Sequence, residues 1–129
     1  MPYNFFEEFK LACQDSPLDV IPIGETMVNS DRIFNLRTKK DLRSFIANNG
    51  LEELTYINKK IWEKNPHPEE PVQVYAYRFR TRAIPGYIAI MFSEKTKKWL
   101  IKSFHTPNDI NTAMLDAFQK ALDASQGER

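Results

Sequence analysis

Residues 71–105 restrict the fold more than any other part of the chain. They read PVQVYAYRFRTRAIPGYIAIMFSEKTKKWLIKSFH, the densest run of Val, Ile, Tyr, Phe and Trp in the sequence. Side chains of this kind pack best on a pleated, half-buried surface. Two interruptions, Ile84-Pro85-Gly86 and Ser93-Glu94-Lys95-Thr96, divide the run into three strands joined by tight connections, which predicts a meander in the middle of a sheet. On the first strand a period of two puts Gln73, Tyr75, Tyr77, Phe79 and Thr81 on one face and Val74, Ala76, Arg78, Arg80 and Arg82 on the other. The second strand is apolar on both faces, Ile88, Ile90 and Phe92 against Tyr87, Ala89 and Met91, and so reads as central and covered. Strict alternation on the third sets Trp99, Ile101, Ser103 and His105 against Leu100, Lys102 and Phe104.

Amphipathic helices flank this stretch. Over residues 2–14, Phe5, Phe6, Phe9, Ala12 and Cys13 fall on one helical stripe, which predicts a helix packed on the sheet. Thr38 with Asp41 has the form of a capping box, Leu42, Phe45 and Ile46 make a stripe, and Gly50 stands at the stop, so a middle helix is expected over 39–49. Thr106, Pro107 and Asp109 open a C-terminal helix with a stripe from Ile110 through Phe118 to Leu122. Val20-Ile21-Pro22-Ile23 reads as an edge strand or extended linker, and Arg32-Ile33-Phe34-Asn35-Leu36 as a short strand. Residues 51–64 carry both helical spacing and strand composition; the Gly50 stop favours a strand. Three prolines then make 65–71 a surface loop, with His67 solvated between two of them. The expected fold is α+β. It is a single small domain over 1–123, a mainly antiparallel sheet of about four to five strands packed with an N-terminal, a middle and a C-terminal helix, followed by a frayed tail over 124–129.

Composition narrows the function classes. With 129 residues the chain is of one-core size. Lys and Arg number 18 against 17 for Asp and Glu, so whole-chain charge argues for no particular partner, and any case for nucleic acid must be local. The single cysteine, Cys13, forms no intramolecular disulfide or Cys-based zinc cluster and fits a reducing compartment. No secretory leader pattern and no membrane-length apolar run occurs, so the expectation is a cytoplasmic protein without a membrane partner.

Two constellations carry chemistry. Arg78, Arg80 and Arg82 project from one strand face, roughly 6.5–7 Å apart, close to the phosphate repeat of a nucleic-acid strand. With Lys98 they are the candidate nucleic-acid contacts, Lys95 and Lys97 lie nearby, and neighbouring Tyr and Trp rings offer stacking surfaces. The competing reading is a solvated strand end whose arginines pair with Glu52, Glu53, Glu69 or Glu70. The second constellation is Lys102 and His105, with Ser103 between them, as candidate acid, base and phosphate donors for metal-free RNA cleavage. An N-terminal helical part followed by a late antiparallel sheet bearing Arg, Lys and His resembles, at the level of fold, the compact bacterial ribonuclease toxins of the RelE and colicin type. No motif of that group is matched residue by residue. Two histidines far apart in sequence, scattered glycines and no Gly-x-Ser-x-Gly imply neither metal nor cofactor.

The sequence thus favours a non-catalytic protein-binding or regulatory domain whose partner is another protein or a second copy of itself. The alternative is an RNA-binding domain or metal-independent ribonuclease that uses the basic strand face.

Overall fold

A computed structural model describes residues 2–107; the expected C-terminal helix and the tail 124–129 lie outside the described residues. The chain is a single α+β domain, with three α-helices and a five-stranded, mostly antiparallel sheet in the described residues. In chain order these are α1 (Pro2–Asp15), β1 (Val20–Pro22), α2 (Thr26–Phe34), α3 (Lys39–Ala47), β2 (Glu52–Ile61), β3 (Gln73–Thr81), β4 (Ile84–Ser93) and β5 (Lys98–His105). The sheet order is β1-β5-β4-β3-β2, with β1 parallel to β5 and every other pair antiparallel. No helix among the described residues is long and apolar enough to cross a membrane.

All three helices pack on one face of the sheet. The stripe of α1 buries Phe6, Phe9 and Cys13 there; Phe6 meets Tyr77 edge-on, Phe9 packs on Trp99, and Phe5 stacks on Tyr75 with centroids 4.0 Å apart. The Tyr77 hydroxyl donates to the Pro2 carbonyl at 2.6 Å, so the ring that fills the core also ties down the start of α1. Leu42 and Ile46 from α3 and Ile33 and Phe34 from α2 complete the same core with Ile88, Ile90, Ile101 and Phe104.

The capping box of α3 is present: Asp41 N–H donates to Thr38 Oγ1 and Thr38 N–H to the Asp41 carboxylate. Its stop is a Schellman motif in which Asn49, one residue earlier than the glycine, takes the left-handed conformation at φ 64°. Gly50 N–H then bonds the Phe45 carbonyl at 2.8 Å. Gly50 is needed for space: a Cβ there would sit 2.6 Å from the Phe45 ring.

Residues Arg32 to Leu36 are not a strand. Arg32, Ile33 and Phe34 are the last turn of α2, which ends at Asn35 with φ 58°. The buried stripe of α2 is Thr26, Ser30, Ile33 and Phe34. Two of its four members are hydroxyl residues, so hydropathy alone does not display the helix. Both hydroxyls are satisfied, Thr26 by the Ile101 carbonyl at 3.0 Å and Ser30 by the Leu36 carbonyl at 2.8 Å.

The β3–β4 hairpin turns at Arg82-Ala83 and not at Ile84-Pro85-Gly86. Thr81 faces Ile84, and the two residues between them have φ 50° and 68°, the type I′ pattern whose twist matches the strands. Pro85 is tolerated inside β4 for a simple reason. In a two-residue hairpin the flanking pair exchanges both hydrogen bonds, so the next pair, Arg80 and Pro85, points its amides away from each other. The donor that proline lacks would therefore face the β5 side, where pairing begins only at Tyr87.

Candidate nucleic-acid interface on the outer sheet face

The face of the sheet opposite the helices carries the candidate site, and one residue of β5 decides its membership. Ile101 opposes Ile90, yet Ser103 opposes Ala89, so Lys102 is an extra residue. Such a β-bulge reverses the alternation beyond it. Phe104, opposite Ile88, stays in the core with Trp99 and Ile101, whereas Ser103 and His105 join Leu100 on the outer face. The strict alternation read from the sequence, which set Ser103 and His105 with Ile101 and grouped Lys102 with Phe104, is corrected accordingly.

Register now aligns two rows across four strands: Thr55, Arg78, Tyr87 and His105, then Asn58, Ala76, Ala89 and Ser103. Both alanines of the second row are buried, in line with Val74 and Met91 on the same face. They floor a hollow of roughly 290 Å³ that Lys60, Lys64, Tyr87 and Lys102 also line. Among the described residues these three lysines have no carboxylate partner within ion-pair distance, and Glu63 is the one acid lining the hollow. Three cations and one anion at its wall leave the hollow locally positive.

His105 is oriented by its neighbours. Its Nδ1 lies 2.5 Å from the Thr106 carbonyl oxygen, which can only accept, so the proton sits on Nδ1 and the neutral ring presents its lone pair at Nε2. The imidazole stacks on Tyr87 with centroids 4.8 Å apart and planes 15° from parallel. Burial raises the pKa of the Tyr87 phenol, keeping it a hydroxyl donor at neutral pH.

The other sequence candidates separate. Arg78 shares the row of Tyr87 and His105 and has a partner of its own in the structure. Arg80 pairs with Glu53 at 3.2 Å, both side chains more than half exposed, as the solvated reading expects. Arg82 occupies the hairpin turn. Lys98 does not belong to this interface. It faces Ser93, eight residues along β4 from the Pro85 that faces Arg80, which is about 26 Å at strand rise. Its Nζ is held 2.6 Å from Asp19. Lys95 and Lys97 are paired with Glu70 and Glu94. Tyr87, Lys60 and Lys64 were not singled out from sequence, because Tyr87 reads as one more apolar-face residue and the lysines fall in the ambiguous segment before the proline loop.

Two larger hollows exist elsewhere. One of about 470 Å³ lies under the proline loop against Ile21, Trp62, Val72 and Leu100, and the lysines on its rim are those already paired. The other, of about 540 Å³, lies between α1 and α3 beside Cys13 and Arg43. Arg43 is committed there, its Nε and Nη2 donating to the Val20 carbonyl. Among the described residues no cluster of three or more His, Cys, Asp or Glu side chains is placed to hold a metal. Comparison of the chain with protein-family models, curated proteins and solved structures finds no match.

Proposed function

We propose that the outer sheet face binds the phosphate backbone of single-stranded RNA and cleaves it by attack of the 2′-hydroxyl. The observation that carries this reading is the bulge at Lys102, which puts Lys102 and His105 on the same face as Arg78 and Tyr87. His105 Nε2 takes the 2′-hydroxyl proton, and the 2′ oxygen bonds to phosphorus. The P–O5′ bond breaks, and the Lys102 ammonium neutralises the phosphorane and gives a proton to the departing 5′ oxygen. The products are a 2′,3′-cyclic phosphate and a 5′-hydroxyl. Tyr87 holds the imidazole face-on and offers a ring to stack on a base.

The test is binding of a labelled single-stranded oligoribonucleotide across a salt series, with intact and cleaved RNA resolved on a gel. Affinity should fall with salt, and Lys102→Ala should make that dependence shallower by about one phosphate contact. His105→Gln should bind RNA and leave it intact, and a strand carrying a 2′-deoxy residue at the cut should behave likewise. No binding by the wild-type protein at low salt sinks the reading. Binding without fragments removes the cleavage step alone.

A second reading, a protein-binding domain, is supported by a different feature: the ten-residue strand β2 forms an edge of the sheet, exposed along most of its length.

A further inference from the structure

Among the described residues the β2 edge is partly closed and partly open. Near its middle the outward N–H of Tyr56 is taken by the Tyr3 hydroxyl at 3.0 Å, and register irregularities interrupt the strand before Thr55 and before Asn58. Beyond them the pairing is regular. Lys59, Lys60 and Ile61 face Tyr75, Val74 and Gln73 in succession, and Trp62 N–H donates inward to the Val72 carbonyl at 2.8 Å. Counting back from Trp62, Lys60 also bonds inward, whereas Lys59 and Ile61 point their N–H and C=O groups away from the sheet. This short outward ladder is flanked by apolar and cationic side chains. Ile61 is 55% exposed, Lys59 stands over the Tyr75 ring on the helix face, and Lys60 lines the hollow on the outer face.

We infer that residues 59–61 of β2 are a strand-addition site for an extended acidic segment of another protein. An added strand bonds to the outward amides and carbonyls of Lys59 and Ile61, and its acidic side chains meet Lys59 on one face and Lys60 on the other. A second copy of this chain fits poorly. The antiparallel register that matches Lys59 with Ile61 of the copy sets Lys60 directly against the copy's Lys60, like charges face to face. The register that shifts towards the strand's middle needs the Tyr56 N–H that Tyr3 already holds. The inference shares Lys60 with the outer-face hollow, but Lys59 and the outward backbone do not belong to that face, so their variants separate it from the RNA reading.

The experiment measures binding of a fluorescein-labelled peptide of alternating Glu and Val by anisotropy, with a peptide of alternating Lys and Val as the comparison. The Glu peptide should bind and the Lys peptide should not. Ile61→Pro removes one outward donor and leaves the β3 ladder whole; it should weaken the Glu peptide about tenfold, the scale of one well-placed hydrogen bond, while Ile61→Ala retains more of the affinity. Lys59→Glu should weaken it further and leave RNA binding unchanged. Amide exchange on the wild-type protein guards against a variant that fails to fold: the peptide should slow exchange at Lys59 and Ile61. Equal binding of both peptides, unslowed exchange at those two amides, or a wild-type dimer that Ile61→Pro dissociates would each overturn the inference.

Discussion

The Tyr3 hydroxyl, at the start of α1, accepts the backbone N–H of Tyr56 from the open edge of β2 at 3.0 Å. A side chain near the N-terminus thus supplies the hydrogen bond that a sixth strand would otherwise make. Tyr3→Phe deletes the acceptor and keeps the ring. Amide exchange at Tyr56 should accelerate, and stability should fall by less than about 1 kcal/mol because the site is exposed and water replaces the phenol.

Gly86 faces Phe79 across the β3–β4 pair, and a Cβ at that position would lie 2.1 Å from the ring. Phe79 also stacks on Phe104, with centroids 5.5 Å apart, so it has little freedom to withdraw. Gly86→Ala should cost about 1–3 kcal/mol, the range for overpacking, and lower the thermal midpoint. Combining it with Phe79→Leu should recover part of that loss, and strictly additive losses would count against the steric account.

Cys13 lies buried in α1, and burial pushes its thiol from the ordinary 9.0 up to about 12. Between those values the unfolded chain releases the proton while the folded protein keeps it. Stability should therefore be unaffected by this group below pH 9.0 and decline as pH rises towards about 12. The folded protein should resist thiol-specific labelling at neutral pH and react readily in denaturant, and Cys13→Ala should flatten the alkaline decline.

The Thr38 cap satisfies an amide at the first turn of α3, and Asp41 returns the bond. Thr38→Ala should destabilise the domain by about 1 kcal/mol, read as a lower denaturation midpoint. Lys98→Ala, by contrast, should leave RNA affinity and its salt dependence unchanged, since the ammonium serves Asp19 at the far end of the sheet.

Elements whose signals are local were legible in the sequence. The stripe of α1, the capping box of α3 and the two-faced apolar pattern of β4 each follow from residues a few positions apart. Helix α2 was not legible, because Thr26 and Ser30 stand in its buried stripe and find their acceptors only once β5 and the turn at Leu36 are in place. The hairpin turn was misplaced because Pro and Gly are stronger turn formers than Arg82-Ala83. Here Pro85 marks a missing neighbour and Gly86 an overlying ring. The candidate site was half legible: residue types suggested Arg78, Lys102 and His105, but alternation put Lys102 and His105 on opposite faces, and only register against β4 reveals the bulge that unites them.

Lys102 is the one residue of β5 without a partner on β4. Ahead of it odd-numbered residues look inward, and behind it even-numbered ones do. Deleting that one residue would let Ser103 follow Ile101 directly, with Phe104 still facing inward and His105 outward. What would go is the irregularity itself and the cation it adds to the wall of the outer hollow. The bulge is thus a one-residue insertion that places an extra charge on the outer face while the inward order of Trp99, Ile101 and Phe104 is kept.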